Sequence, residues 1–362
     1  MASDPLDPVD LTLALARIDS TSGREAEVIR FTERLLSDRG WSVTRIPVSA
    51  GRDNILATAS GAPSVTLSTH LDTVPPFIAP RIEDERIWGR GSCDAKGIAA
   101  AMICAADRLR AQGHPVSLLF VVGEETTHDG AHAANAWPTT SRALINGEPT
   151  ESTLAVGTKG ALRLWFRAHG IAAHSAYPHL GRSAIDALLD ALHDVRALRF
   201  PTDPVLGDTT INVGIIQGGV ADNVIAAEAQ ARVMIRLVSS AEDVLARVRE
   251  VVGERAVVHE VVRVPPVRLA TVKGFPTSVV AYATDVPALT AWGTPYLFGP
   301  GSIRVAHCDD EHMEIEELGA AVRAYERLAI AALQARDGTP VAPDEAHATG
   351  RHGPEGENPR RR

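Results

Sequence analysis

VSLLFVVGEE, residues 116–125, is a nearly continuous apolar run that stops at two adjacent carboxylates, Glu124 and Glu125. A strand that is apolar at successive positions buries both of its faces, as strands do in mostly parallel sheets covered by helices. Two further runs have the same form: SVTLSTH ends at His70, and ALINGEP carries Glu148 just past its apolar part. A helical pattern over residues 95–112 supplies a crossover between them. The expectation is an α/β fold, a mostly parallel sheet flanked by helices. Open sheets of that kind bind ligands beyond the carboxyl ends of their strands, which is where His70, Glu124, Glu125 and Glu148 fall.

Residues 10–39 carry apolar positions at helical period, and GWSVTRIPV and DNILATAS read as strands parted by the turn residues Gly51 and Asp53. After GTKG (157–160) the pattern becomes strand, helix 183–198, strand, strand, helix 241–252, strand. That β-α-β-β-α-β order is the ferredoxin-like unit. It predicts an α+β domain over 162–265, inserted into a catalytic domain formed by 1–161 and 266–336. The returning segment is expected to hold a helix near 277–283, short strands and a final helix over 315–335. Residues 337–362 are rich in Pro, Gly and charge, which predicts a disordered tail.

The length of 362 residues agrees with two domains at roughly 150 residues each. Hydrophobic residues at 45% and charged residues at 22% exclude collagen-like, coiled-coil and wholly disordered chains. The net charge of −9, with no long basic run inside the fold, argues against nucleic acid as a partner. The longest apolar run, residues 98–106, falls well short of the ~20 residues that span a bilayer, and the first residues lack a basic n-region, so no membrane partner and a cytoplasmic location are expected. Cys93, Cys104 and Cys308 form no CxxC pair and are too scattered for a disulfide framework.

His70 and Asp72 stand two apart in HLD, so both side chains can project to one face, a geometry that suits a metal-bound imidazole oriented by a carboxylate. The same triplet also describes a histidine and an aspartate that satisfy a turn. Asp94, among glycines in WGRGSCDAKG, precedes a helix and reads equally as an N-cap. Glu124 and Glu125 at a buried edge would repel each other unless a cation stood nearby. Glu148 is another carboxylate at an apolar strand end, and His307 in GPGSIRVAHCDDEH is followed by acidic residues. Collectively His70, Asp94, Glu125, Glu148 and His307 form a mixed imidazole and carboxylate set that suits zinc or cobalt better than calcium or magnesium.

The ordered series HLDTVP, GRGSCDAKG, GEE, GEP and GPGSIRVAH resembles the dinuclear-zinc aminoacylases and carboxypeptidases of metallopeptidase clan MH, family M20, over residues 10–335. Within it, the chain is similar to acetylornithine deacetylase and succinyl-diaminopimelate desuccinylase. The resemblance implies a zinc-exopeptidase-like catalytic domain with two Zn2+ or Co2+ per chain: Asp94 bridging both, His70 and Glu148 on one, Glu125 and His307 on the other. It implies Glu124 as general acid/base and Asp72 orienting His70. It also implies a homodimer formed through the inserted domain, with His174 of GIAAHSAYPHLGRSA steadying the oxyanion in the neighbouring subunit's site and Asn223 of GGVADNVIA binding substrate. The activity implied is removal of an acyl group from an N-acyl amino acid, acetylornithine first. A desuccinylase, dipeptidase or carboxypeptidase acting on short peptides is the alternative on the same machinery.

A non-catalytic binding relative is disfavoured because all five ligand positions, Glu124 and His174 occur together, and a dinuclear phosphoesterase because of the inserted ferredoxin-like unit. His128 and His132 lack the glutamate of HExxH and read as an exposed helix start rather than ligands. Cys93 and Cys308 adjoin proposed ligands but point to the opposite face of an extended chain, which favours inert packing. Lys159, in the hinge between domains, reads as a solvated charge or as a contact for a substrate carboxylate.

Overall fold

A computed structural model describes residues 4–59 and 61–335, so the tail expected over 337–362 lies outside the described residues. The central sheet has six strands in the order Ser42–Ser49, Arg52–Thr58, Val116–Val121, Val65–His70, Ala143–Asn146, Thr294–Leu297. The last four run parallel, and the first two form an antiparallel hairpin on one edge. Alternation along the Val116–Val121 strand explains its unbroken apolar sequence: Leu118 and Phe120 enter one core, Leu119 and Val121 the other. The helix Lys96–Ala111 is buried on all sides over 98–106 because it lies between the sheet and outer helices, which include Pro8–Ala16 and Ile315–Gln334. Among the described residues no helix is long and apolar enough to cross a membrane.

The second unit is a four-stranded antiparallel sheet in the order Thr210–Gly218, Glu228–Leu237, Gly160–His169, Val257–Val264. Helices Ala184–Ala197 and Ala241–Val252 cover one face and enclose a core that includes Phe166, Leu188, Ile235 and Val248. Each helix is started by a serine whose hydroxyl accepts a backbone N–H: Ser183 from Asp186, Ser240 from Asp243. Pairing places Met234 opposite Arg163, Arg232 opposite Trp165 and Gln230 opposite Arg167. These residues therefore share the face without helices. The chain enters and leaves this unit through adjacent backbone: a Cβ on Gly160 would meet the Val264 carbonyl oxygen at 2.4 Å, and Thr158 pairs with Val267.

Two local expectations are corrected. Residues 277–283 contain no helix; Thr277–Val280 is a strand parallel to Leu154–Thr158. The segment is too short for its periodicity to separate the two states, and its β-branched residues favour the strand. The helical pattern over 10–39 resolves into two helices, Pro8–Ala16 and Ala26–Asp38, separated by a turn in which Gly23 takes φ +94°.

Candidate metal centre

The parallel strands deliver their terminal side chains to one edge. His70 closes the Val65–His70 strand; Glu124 and Glu125 follow the left-handed turn at Gly123 beyond Val116–Val121; Glu148 lies two residues past Ala143–Asn146. Asp94 precedes the buried helix, and His307 comes from the loop after Thr294–Leu297, itself in a left-handed conformation (φ 65°). Asp94 presents one oxygen to each of two imidazoles. Its Oδ1 stands 3.0 Å from His70 Nε2 and its Oδ2 3.3 Å from His307 Nε2. His307 Nε2 also stands 3.0 Å from the Glu125 carboxylate. His70, Asp94 and Glu148 are buried, and Glu124 and Glu125 half-buried.

Two carboxylates hold these groups in place. Asp72 accepts from the Ser22 hydroxyl at 2.7 Å and from the backbone N–H of Glu124 and Glu125 at 3.2 and 3.3 Å. His70 Nδ1 meets the Asp72 backbone carbonyl at 3.0 Å, whereas the Asp72 carboxylate is 3.6 Å away. Asp72 thus fixes the strand end carrying both glutamates as well as flanking the imidazole. Glu311, wholly buried, accepts from the backbone N–H of Gly91, Cys93 and Asp94 at 2.9, 3.1 and 3.1 Å and pairs with Arg90 at 2.6 Å. Sequence reasoning missed Glu311, since nothing in CDDEH sets it apart from its exposed neighbours Asp309 and Asp310.

The cluster has an excess of negative charge for its burial. Burial and the Glu148 carboxylate push Glu124 well above the usual carboxyl range; burial also raises Glu148 and Glu125. Hydrogen bonds to Asp94 and Glu125 push His307 up to about 10, and those from His307 and His70 hold Asp94 well below the ordinary range despite its burial. In the chain alone, protons must supply the missing positive charge. Divalent cations would replace those protons, and the donors present, imidazole nitrogen and carboxylate oxygen around a two-faced Asp94, fit two such ions.

The other residues singled out by sequence lie apart from this cluster. His174 and Asn223 are neighbours, joined by a hydrogen bond from the Ser175 N–H to the Asn223 carbonyl at 3.0 Å, and neither lines the cavity over the cluster. Lys159 donates to the Asp208 carbonyl at 2.5 Å and also stands outside that cavity. His128 is no exposed helix start: it is half-buried, its Nδ1 2.8 Å from the buried Asp285 and 3.8 Å from Glu124. Burial lowers its pKa, and the Asp285 hydrogen bond more than offsets this and raises it. His132 is exposed. Cys93 is buried and Cys308 exposed, and neither is in the imidazole and carboxylate group.

A doubly covered sheet with paired imidazoles and crowded carboxylates at its carboxyl edge defines a metallohydrolase. Peptidase family M20/M25/M40 matches residues 66–331. The chain belongs to that family and is a hydrolase acting on amide bonds. It is 41% identical to a probable carboxypeptidase of Aspergillus fumigatus over 88% of this chain and 85% of the relative. A tripeptidase from Staphylococcus aureus has the same fold, with a TM-score of 0.77 at 21% identity over 92% of this chain and all of that one. YXEP of Bacillus subtilis, a dinuclear metal binding peptidase from the M20 family, superposes with a TM-score of 0.69 at 14% identity, covering 90% and 97%.

Proposed function

We propose that this chain is a dinuclear zinc or cobalt carboxypeptidase that cleaves the amide joining an acyl or peptidyl group to a carboxyl-terminal amino acid. The observation that carries the reading is Asp94, with one oxygen toward His70 and the other toward His307. His70 and Glu148 would hold one ion, Glu125 and His307 the other, and Asp94 both. When bound, such ions polarise the scissile carbonyl and lower the pKa of water. Glu124 is the remaining carboxylate, held at the strand end by Asp72, and it takes a proton from the attacking water and returns it to the leaving amine. The inserted unit, 162–265, mediates a homodimer, and His174 donates to the oxyanion of the partner's site while Asn223 contacts substrate. The curated relatives bearing the name carboxypeptidase support peptides as substrates; acetylornithine-type deacylation breaks the same kind of bond on a smaller acyl group.

The test joins metal analysis to one variant. Two ions per chain are expected, and Glu124→Gln should keep both while losing turnover of acyl-amino-acid and peptide substrates by at least about a hundredfold. A stoichiometry that stays at one, or near wild-type turnover in the variant, overturns the assignment.

A further inference from the structure

The helix-free face of the inserted sheet carries four arginines, Arg163, Arg167, Arg232 and Arg236. Two of them are engaged: the guanidinium carbons of Arg167 and Arg232 stand 4.3 and 4.5 Å from the Trp165 ring centroid. Arg163 and Arg236 make no ion pair, hydrogen bond or ring contact among the described residues. Both line the cavity of about 160 Å³ that Asp94, Glu124, Glu148 and His307 also line. Arg236 is half-buried, and its pKa is lowered by that burial and by the charge of Arg163. Arg163 is exposed and Arg236 half-buried, so water screens their repulsion in part and a bound anion relieves the rest.

Their placement bears on the anion they could bind. Met234 pairs directly with Arg163 and lies two residues from Arg236, so the two arginines are diagonal neighbours whose backbone positions stand roughly 7–8 Å apart. Two guanidinium groups on one wall of the cavity, each without a counter-ion, suit a ligand that carries two carboxylates.

We propose that Arg163 makes the site selective for dianionic substrates, in which the carboxyl-terminal residue released is aspartate or glutamate, its two carboxylates shared between Arg236 and Arg163. This rests on the reading of the chain as a carboxypeptidase and adds the substrate class.

The test uses the metal-loaded full chain and three matched peptides, acetyl-alanyl-glutamate, acetyl-alanyl-glutamine and acetyl-alanyl-leucine. The wild type should prefer glutamate over glutamine in kcat/KM by at least about tenfold. Arg163→Met should remove that preference, lowering kcat/KM for glutamate about tenfold while changing glutamine less than about threefold, and Arg163→Lys should restore part of it. Equal turnover of glutamate and glutamine by the wild type, or an equal loss on both in Arg163→Met, overturns the inference. If two ions bind and none of the peptides turns over, the carboxypeptidase reading fails separately. The inference is then decided by calorimetric titration with glutarate, butyrate and inorganic phosphate. Glutarate binding about tenfold tighter than butyrate in the wild type, and no tighter in Arg163→Met, supports it; equal binding, or phosphate binding tightest, overturns it.

Discussion

Glu311 holds the backbone of Asp94, the residue proposed to bridge the two ions. Its carboxylate gathers three backbone N–H groups of the loop carrying Asp94 and is itself neutralised by Arg90. Glu311→Leu leaves Arg90 buried and unpaired, so unfolding in denaturant should show a loss of about 3–5 kcal/mol, and metal content should fall with it. Unchanged stability and stoichiometry would remove Glu311 from this role. Lys96 makes a second prediction. It is buried, donates to the Ile18 carbonyl at 2.6 Å, and is pulled down to about 8 by burial. Below pH 8 both the folded and the unfolded chain bind this proton. Between about pH 8 and the ordinary lysine value of 10.5 only the unfolded chain keeps it, so stability contributed by this group rises with pH. Lys96→Met should lack that rise, and the stability difference between wild type and variant should therefore shift in favour of the wild type across that window. A constant difference counts against the buried-lysine assignment.

Packing between strand ends and the buried helix sets how closely the donors approach. A Cβ at Gly147 would stand 2.5 Å from both Ile98 Cγ2 and Met102 Cε of the Lys96–Ala111 helix. Gly147→Ala should cost about 1–3 kcal/mol and, by shifting the adjacent Glu148, reduce metal content as well; a destabilised variant that keeps both ions would show that the strand end yields elsewhere. The sheet and the gathering of charged side chains at one of its edges were legible because apolar runs ending in charge have few other physical explanations: Val116–Val121 followed by Glu124 and Glu125, Val65–His70, and Ala143–Asn146 followed by Glu148. The ferredoxin-like unit was legible from the order of its elements. What stayed hidden depends on partners far apart in the chain. Asp285, 157 residues from His128, turns an apparent surface histidine into a half-buried ion pair. The Thr277–Val280 strand exists because Leu154–Thr158 offers it an edge, and the free pair Arg163 and Arg236 emerges only when strand register is known.

Across the whole molecule, the placement of His174 outside the cavity of its own chain gives the proposed dimer a sharp test. Glu124→Gln and His174→Ala chains, each inactive alone, should regain activity on mixing, because a hybrid dimer has one site with Glu124 and a His174 from its partner. Random pairing limits the recovery to about a quarter of wild type. Verified hybrids with no recovery, or a fully active His174→Ala chain, exclude the shared site. The same inserted unit is joined to the rest of the chain in a way that bears on its ancestry. Thr158 and Val267 are already cross-strand partners, and Gly160 touches the backbone at Val264. Everything between them forms a cassette whose two splice points lie side by side. Its gain, loss or exchange for a different module would leave all six strands of the central sheet with their present neighbours, so one recombination event suffices to change the inserted unit without asking the rest of the chain to fold anew.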